Sequence, residues 1–255
     1  MARIVRFNKT GGAEVLQIVE ESVTAPAAGE VQIQVHAIGL NRAETMYRNG
    51  MYLEMPQFPS RLGYEASGRV TSVGKDVTEF KVGDAVSTIP AFSMNQYGSY
   101  GELVNMPEHA VAKHPASLSW VEASAIWMQY TTAYGALVDI AKINAGEFVL
   151  ITAASSSVGI AAIEIANMLG AIPIAMTRKS DKKEALLKAG AKYVIASEEQ
   201  DIVAEVNKIT HGKGARVVFD PVGGPTINKL ADATAQGGII FQYGALSTEL
   251  SLIHI

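Results

Sequence analysis

Gly146-Glu147-Phe148-Val149-Leu150-Ile151-Thr152-Ala153-Ala154-Ser155-Ser156-Ser157-Val158-Gly159 is the stretch that decides the fold. Phe148–Ala153 is a continuous apolar run, as in a strand buried on both faces. A helical pattern follows from Val158 to Leu169, with Val158, Ala162, Ile165 and Leu169 on one face, and Gly170 as its stop. Small residues fill the turn between. A turn of this kind lets backbone N–H groups approach a pyrophosphate, and the helix N-terminus adds a favourable dipole. A strict G-x-G-x-x-G is absent, because Ala154 and Ser156 occupy the first two glycine places. The alternative is a plain small-residue turn with Ser157 as the helix N-cap.

The alternation continues toward the C-terminus. Strands are predicted at 172–176, 193–196, 217–220 and 239–243. Helices are predicted at 182–189, capped by Ser180 or Asp181, and at 202–210 and 226–234. Five strands separated by helices imply a parallel sheet with right-handed crossovers, in the order 3-2-1-4-5. Gly212-Lys213-Gly214 enters a strand rather than leaving one, so it reads as a plain turn.

Toward the N-terminus the pattern changes. Val31, Ile33 and Val35 alternate with Gln32, Gln34 and His36, the period of a half-buried strand. Short apolar runs at 68–73, 84–89 and 102–105, set among glycine turns, suggest a barrel-like β domain. The expected architecture is therefore α/β, with a β-rich domain over 1–120 and a doubly wound nucleotide-binding domain over 121–255.

Composition narrows the classes. The 255 residues include no cysteine, 21 basic and 25 acidic side chains, and 48% hydrophobic residues. No disulfide framework and no thiolate zinc site can form. No basic cluster suggests nucleic acid, and no stretch approaches the ~20 apolar residues of a membrane helix. The N-terminus is not followed by an apolar signal core, so a cytoplasmic location is expected.

The end of the second βα strand carries Thr177, Arg178, Lys179 and Lys182, where an NAD site would place an acid for the ribose. A hydroxyl and cations suit a 2′-phosphate, so the expected cofactor is NADPH. The competing reading is a solvated basic helix start, which the helix dipole opposes and Asp181 softens.

Several spaced motifs now share one order: Gly63-Tyr64-Glu65-Ala66-Ser67-Gly68, Gly74-Lys75-Asp76-Val77, Phe80-Lys81-Val82-Gly83-Asp84-Ala85-Val86, Gly146–Leu150, the 153–159 loop, and Phe219-Asp220-Pro221-Val222-Gly223-Gly224. With them the chain resembles a medium-chain dehydrogenase/reductase of the zinc-free NADPH:quinone oxidoreductase branch. The resemblance implies a GroES-like catalytic domain followed by a Rossmann domain. It places Asn41, Tyr64 and Met128 where zinc-dependent members hold their catalytic metal. An amide, a phenol and a thioether make no credible zinc site, so no metal is expected. His109 and His114 are expected to be surface or structural.

The same resemblance assigns roles. Asn41 and Tyr52 lie beside nicotinamide and substrate. Asn41 is a candidate amide donor to a carbonyl oxygen. Tyr52 is a candidate donor to an enolate or hydroquinone oxygen, or else a packing or positioning aromatic. Tyr64 fills the zinc position. Thr131 approaches the nicotinamide, and Val222, Tyr243, Gly244 and Ala245 line it, with strand-end packing the alternative for Tyr243. Ser156, Ser157, Val158 and Gly159 hold the pyrophosphate, and Thr177, Arg178 and Lys182 the 2′-phosphate. The implied activity is hydride transfer to a quinone or α,β-unsaturated carbonyl. Alternatives are an enoyl-thioester reductase of the same superfamily and a non-catalytic, crystallin-like NADPH-binding protein. Relatives continue beyond Ser251–Ile255 through a sixth strand that builds a dimer edge. The expectation is thus a homodimer when full length, and a chain truncated before that strand, short by on the order of 70 residues. As written it would carry an unpaired sheet edge and poor solubility.

Overall fold

The computed structural model describes residues 1–247 and Glu249. It divides into two compact units, Met1–Met128 and Gln129–Ile255. The expectation attached to Ser251–Ile255 lies outside the described residues.

In the first unit, β1 (Ala2–Arg6) pairs antiparallel with β2 (Gln17–Glu21). Five further strands follow: β3 (Glu30–Gly39), β4 (Glu65–Val73), β5 (Ala85–Thr88), β6 (Leu103–Pro107) and β7 (Val111–Lys113). They form an antiparallel sheet in the order β6-β3-β4-β5-β7. Val31, Ile33, Val70, Val86, Val104 and Met106 from these strands make its core, which is why the Val-x-Ile-x-Val alternation was legible. Two short helices, α1 (Arg42–Arg48) and α2 (Trp120–Ala123), complete the unit. The pairs β1–β2 and β7 were not expected: their hydrogen-bond partners are long-range, and three to five residues carry too little period to read.

The unit boundary falls after Met128, not at 120/121. Ser119 caps α2 in a reciprocal capping box with Glu122, and the backbone N–H groups of Trp127 and Met128 donate to Glu65 of β4. This segment is thereby tied to the β-rich unit.

Helix α3 (Trp127–Tyr134), whose first two residues belong to the first unit, runs into a π-helical turn at Gly135–Ile140. Then β8 (Phe148–Ile151), α4 (Ser157–Met168), β9 (Ile172–Thr177), α5 (Lys183–Lys188), β10 (Tyr193–Ala196), α6 (Ile202–Thr210), β11 (Ala215–Asp220), α7 (Thr226–Asp232) and β12 (Thr234–Gln242) alternate. All five strands are parallel, in the order β10-β9-β8-β11-β12, the expected 3-2-1-4-5 arrangement. Alternate residues feed two cores. Val149, Ile151, Val217 and Phe219 pack with Ala162, Ile163 and Ala166 of α4. Leu150, Ile174, Ile195 and Val218 pack on the other face with Val206, Ile227 and Leu230. A strand buried on both faces must be apolar at every position.

Three local expectations are corrected. The N-cap of α4 is Ser156, not Ser157; the Ser156 hydroxyl oxygen accepts from Gly159 N at 3.1 Å. Neither Ser180 nor Asp181 caps α5, because Ser180–Lys182 forms a separate 3₁₀ turn. Finally, β12 begins at Thr234, five residues before the expected Ile239, because Gly237 at φ +73° lets the strand bulge and continue.

Candidate functional site

The carboxyl edge of the parallel sheet gathers most of the expected cofactor residues. The chain leaves β8 at Thr152, turns through 153–156 and enters α4. Ala153 adopts φ +44°, a left-handed conformation that a side chain adopts at a cost of about 1–3 kcal/mol. At Gly159 a Cβ would lie 2.6–2.7 Å from the O, C and Cα atoms of Ala154. Only glycine allows the first turn of α4 to sit this close to the loop. The result is a cradle of small residues at the N-terminus of a twelve-residue helix, whose free N–H groups favour an anion.

At the end of β9, Thr177, Arg178, Lys179, Asp181, Lys182 and Glu198 line a cavity of about 270 Å³. Three cations face two carboxylates there. Lys182 Nζ also donates to the Ser155 hydroxyl at 3.3 Å, linking this cavity to the loop before α4. The structure thus brings Thr177, Arg178 and Lys182 together beside the phosphate-loop candidates.

Asp220, fully buried at the end of β11, organises the adjoining turn. Its carboxylate accepts from Val222 N at 3.0 Å, from Gly223 N at 2.9 Å and from the Thr152 hydroxyl. Its backbone carbonyl accepts from Tyr243 N at 3.0 Å. Val222 and Tyr243 are thereby held on neighbouring segments. A Cβ on Gly244 would meet the Pro221 carbonyl at 2.8 Å, and Ala245 follows in the same strand-exit segment. The Tyr243 ring stacks on Phe219, with centroids 4.1 Å apart and planes 20° from parallel. Burial, followed by the Asp220 charge, raises its hydroxyl above the usual phenol range. Thr131 lies on α3. Its neighbour Tyr130 donates to the Glu164 carboxylate, which pushes the phenol up to about 12.

In the β-rich unit, Asn41 caps α1 and sits between two buried carboxylates. Its Nδ2 donates to Glu65 Oε2 at 2.8 Å and to Glu44 Oε1 at 3.4 Å, and its backbone N–H donates to Glu44 Oε2 at 2.7 Å. Glu65 Oε1 in turn accepts from Trp127 N and Met128 N at 2.7 and 3.0 Å. Burial raises the Glu44 carboxyl, although Tyr64 N and Asn41 donate to it. The amide hydrogens of Asn41 are therefore spent on Glu65 and Glu44, and in this arrangement none is left for a substrate oxygen. Sequence reasoning missed both acids as partners of Asn41. The available signal was a glutamate set directly before the small residues Ala66, Ser67 and Gly68 at the start of β4.

Tyr64 is 7% exposed, and the Tyr52 ring lies 6.3 Å from it at 60°. Burial first, then Tyr52, lifts the Tyr64 hydroxyl above the ordinary phenol range, so it stays protonated. The loop carrying Tyr52 is pinned by Glu54, whose carboxylate accepts from Ser93 Oγ, Met94 N and Asn95 Nδ2 at 2.6, 3.0 and 3.2 Å. Asn41, Tyr64 and Met128 offer zinc no credible ligand set. The Asn41 amide is committed, Tyr64 is a neutral phenol, and no three His, Cys, Asp or Glu side chains form a ligand group among the described residues. His114 is structural: Ser87 Oγ donates to Ala123 O, so His114 Nδ1–H donates to Ser87 Oγ at 3.0 Å. His109 Nε2 lies 3.2 Å from the Ala91 carbonyl.

Comparison with known proteins gives a consistent answer. Residues 27–116 match the family described as alcohol dehydrogenase GroES-like domain, and residues 157–254 the one described as zinc-binding dehydrogenase. Quinone oxidoreductase 1 of Escherichia coli is 36% identical over the whole chain, which spans 76% of that protein. The structure of the Escherichia coli quinone oxidoreductase complexed with NADPH superimposes with a TM-score of 0.86 at 35% identity, over 99% of this chain and 77% of that one. The CurK enoyl reductase gives 0.88 at 26% identity, over 99% and 76%. Among the described residues no helix is long and apolar enough to cross a membrane. The chain belongs to the medium-chain dehydrogenase/reductase superfamily of oxidoreductases, in its quinone oxidoreductase-like branch.

Proposed function

We propose that this oxidoreductase uses NADPH to reduce a quinone or an α,β-unsaturated carbonyl without zinc. The observation that carries the reading is the cation cluster at the end of β9, joined by Lys182 to the loop before α4. Its excess positive charge suits a 2′-phosphate, and the Gly159 cradle suits a pyrophosphate. NADPH, when bound, supplies the hydride.

The chain's own groups do the rest. Ser156, Ser157, Val158 and Gly159 hold the pyrophosphate at the helix N-terminus. Arg178 and Lys182 hold the 2′-phosphate, with Thr177 as a hydroxyl donor. Val222, Tyr243, Gly244 and Ala245, with Thr131, bound the nicotinamide. Tyr52, on its pinned loop, donates a hydrogen bond to the acceptor oxygen as negative charge develops there. Asn41, held by Glu65 and Glu44, keeps the start of α1 rigid and orients the site rather than donating to substrate. An acceptor that is already electron-poor needs no Lewis acid to take a hydride, which agrees with an amide, a phenol and a thioether at the zinc positions. We take the active form to be a cytoplasmic homodimer.

The similarity to CurK enoyl reductase supports a second reading, reduction of an enoyl thioester. NADPH fluorescence titration followed by turnover of 1,4-benzoquinone, a simple enone and a crotonyl thioester tests both. Turnover of quinone or enone above thioester is expected. Tight NADPH binding with no turnover of any acceptor would refute the catalytic reading in favour of a binding protein.

A further inference from the structure

A second cavity, of about 580 Å³, lies within the β-rich unit. It shares no lining residue with the cavity at the end of β9, and none of Asn41, Tyr52 and Tyr64 lines it. Arg6, Glu21, Glu30 and Arg61 supply its charges, and Val23, Ala25 and Pro59 give it a short apolar wall.

Three of the four charged groups are committed. Arg6 on β1 donates through Nε and Nη2 to the two carboxylate oxygens of Glu21 on β2, and through Nη1 to the Pro59 carbonyl at 3.2 Å. Glu30 accepts from the Tyr97 hydroxyl and from Ala27 N, each at 2.9 Å. Arg61 is left over. Its ion pair is with the Glu21 that Arg6 already holds, and the Nη2–Oε2 separation of 3.8 Å is too long for a hydrogen bond. Among the described residues no group accepts from its guanidinium, although the side chain is only 25% exposed. Burial and the neighbouring Arg6 both work against its charge. A guanidinium does not shed its proton, so a planar fork of N–H donors stays open to the cavity.

Such a fork matches a carboxylate or a phosphate. The rest of the cavity chooses between them. Two cations face two carboxylates, so the lining is neutral overall, and a dianion would meet Glu21 and Glu30 as well as Arg61. A single negative charge answers Arg61 alone. We propose that this cavity binds a small monocarboxylate, its two oxygens on the Arg61 fork and its short carbon body along the apolar wall. The site does not depend on the cofactor reading, and Arg61 takes no part in hydride transfer.

The test is a titration of propionate, followed by its NMR line broadening, at an ionic strength fixed with chloride. The buffer is held at about pH 8, where most phosphate carries two negative charges. Saturable binding of propionate is expected, with none of the neutral propionamide and weaker binding of inorganic phosphate. Arg61→Gln should weaken propionate at least about tenfold, the loss of one charge-assisted pair. Arg61→Lys keeps the charge but not the fork, and should recover only part of that loss. Arg178→Ala, in the other cation-lined cavity, should leave propionate affinity unchanged. The proposal is overturned if propionate does not saturate, if phosphate binds more tightly, if Arg178→Ala abolishes binding, or if either Arg61 variant binds as well as the unsubstituted protein. Urea unfolding checks that each variant is folded; should Arg61→Gln not fold, Arg61→Lys decides the matter by the same criterion.

Discussion

Gly159→Ala isolates the closest approach in the site. In a helix interior, alanine is favoured over glycine by about 1 kcal/mol, so an unobstructed change should stabilise the protein. Here the new methyl would sit 2.6–2.7 Å from three backbone atoms of Ala154, roughly 1 Å inside the usual carbon contact distance of about 3.5–4.0 Å. Backbone cannot swing aside as a long side chain can. Overpacking of this kind costs about 1–3 kcal/mol, which cancels or exceeds the helical gain. Gly135→Ala supplies the control, because its Cβ would meet nothing within 4 Å and its φ is not positive. The two variants should differ by about 1–3 kcal/mol, with Gly135→Ala the more stable. At about 2–4 °C per kcal/mol for a chain of this size, differential scanning calorimetry resolves that gap. Relieving the overlap moves the loop away from α4, so NADPH affinity should fall at least tenfold for Gly159→Ala and stay unchanged for Gly135→Ala. Equal melting temperatures with equal affinities would refute the argument, since the contact would then be one the loop yields freely.

Other expectations follow from the same geometry. Arg178→Ala and Lys182→Ala should weaken NADPH far more than NADH in fluorescence titrations; equal losses would remove the 2′-phosphate assignment. Glu65→Ala strips the buried acceptor from Asn41 and from two backbone N–H groups, and should destabilise by several kcal/mol in urea unfolding; Glu65→Gln, which keeps one acceptor, should cost less. Burial lowers the pKa of His114 below its ordinary 6.5. A depressed histidine binds its proton more readily in the unfolded chain, so its share of stability is present above about pH 6.5 and is lost as pH falls toward the folded value. Unfolding titrations from pH 8 to pH 5 should show that decline, and His114→Gln should flatten it.

Much of the architecture was legible because it is written in short-range periodicity. The run Phe148–Ile151, the helix after it and their repetition through β12 specify a parallel sheet, since only a strand buried on both faces is apolar at every residue. The alternation over Val31–Val35 likewise marks a strand with one buried face. The cations at 178–182 and the amide, phenol and thioether at 41, 64 and 128 are matters of residue type, and they limit the cofactor and the chemistry without coordinates. What tertiary structure decided is the partner of each polar atom. Asn41 was expected to offer its amide hydrogens to a ligand, but they are taken by Glu65, twenty-four positions along the chain, and by Glu44. The loop cap passed from Ser157 to Ser156, and the Tyr243 hydroxyl is left unpaired at the end of the last described strand. Hydrophobic pattern is local, because burial is set by which face a residue presents. A hydrogen bond depends on angstrom-scale approach of segments distant in sequence, and only the folded chain fixes that distance.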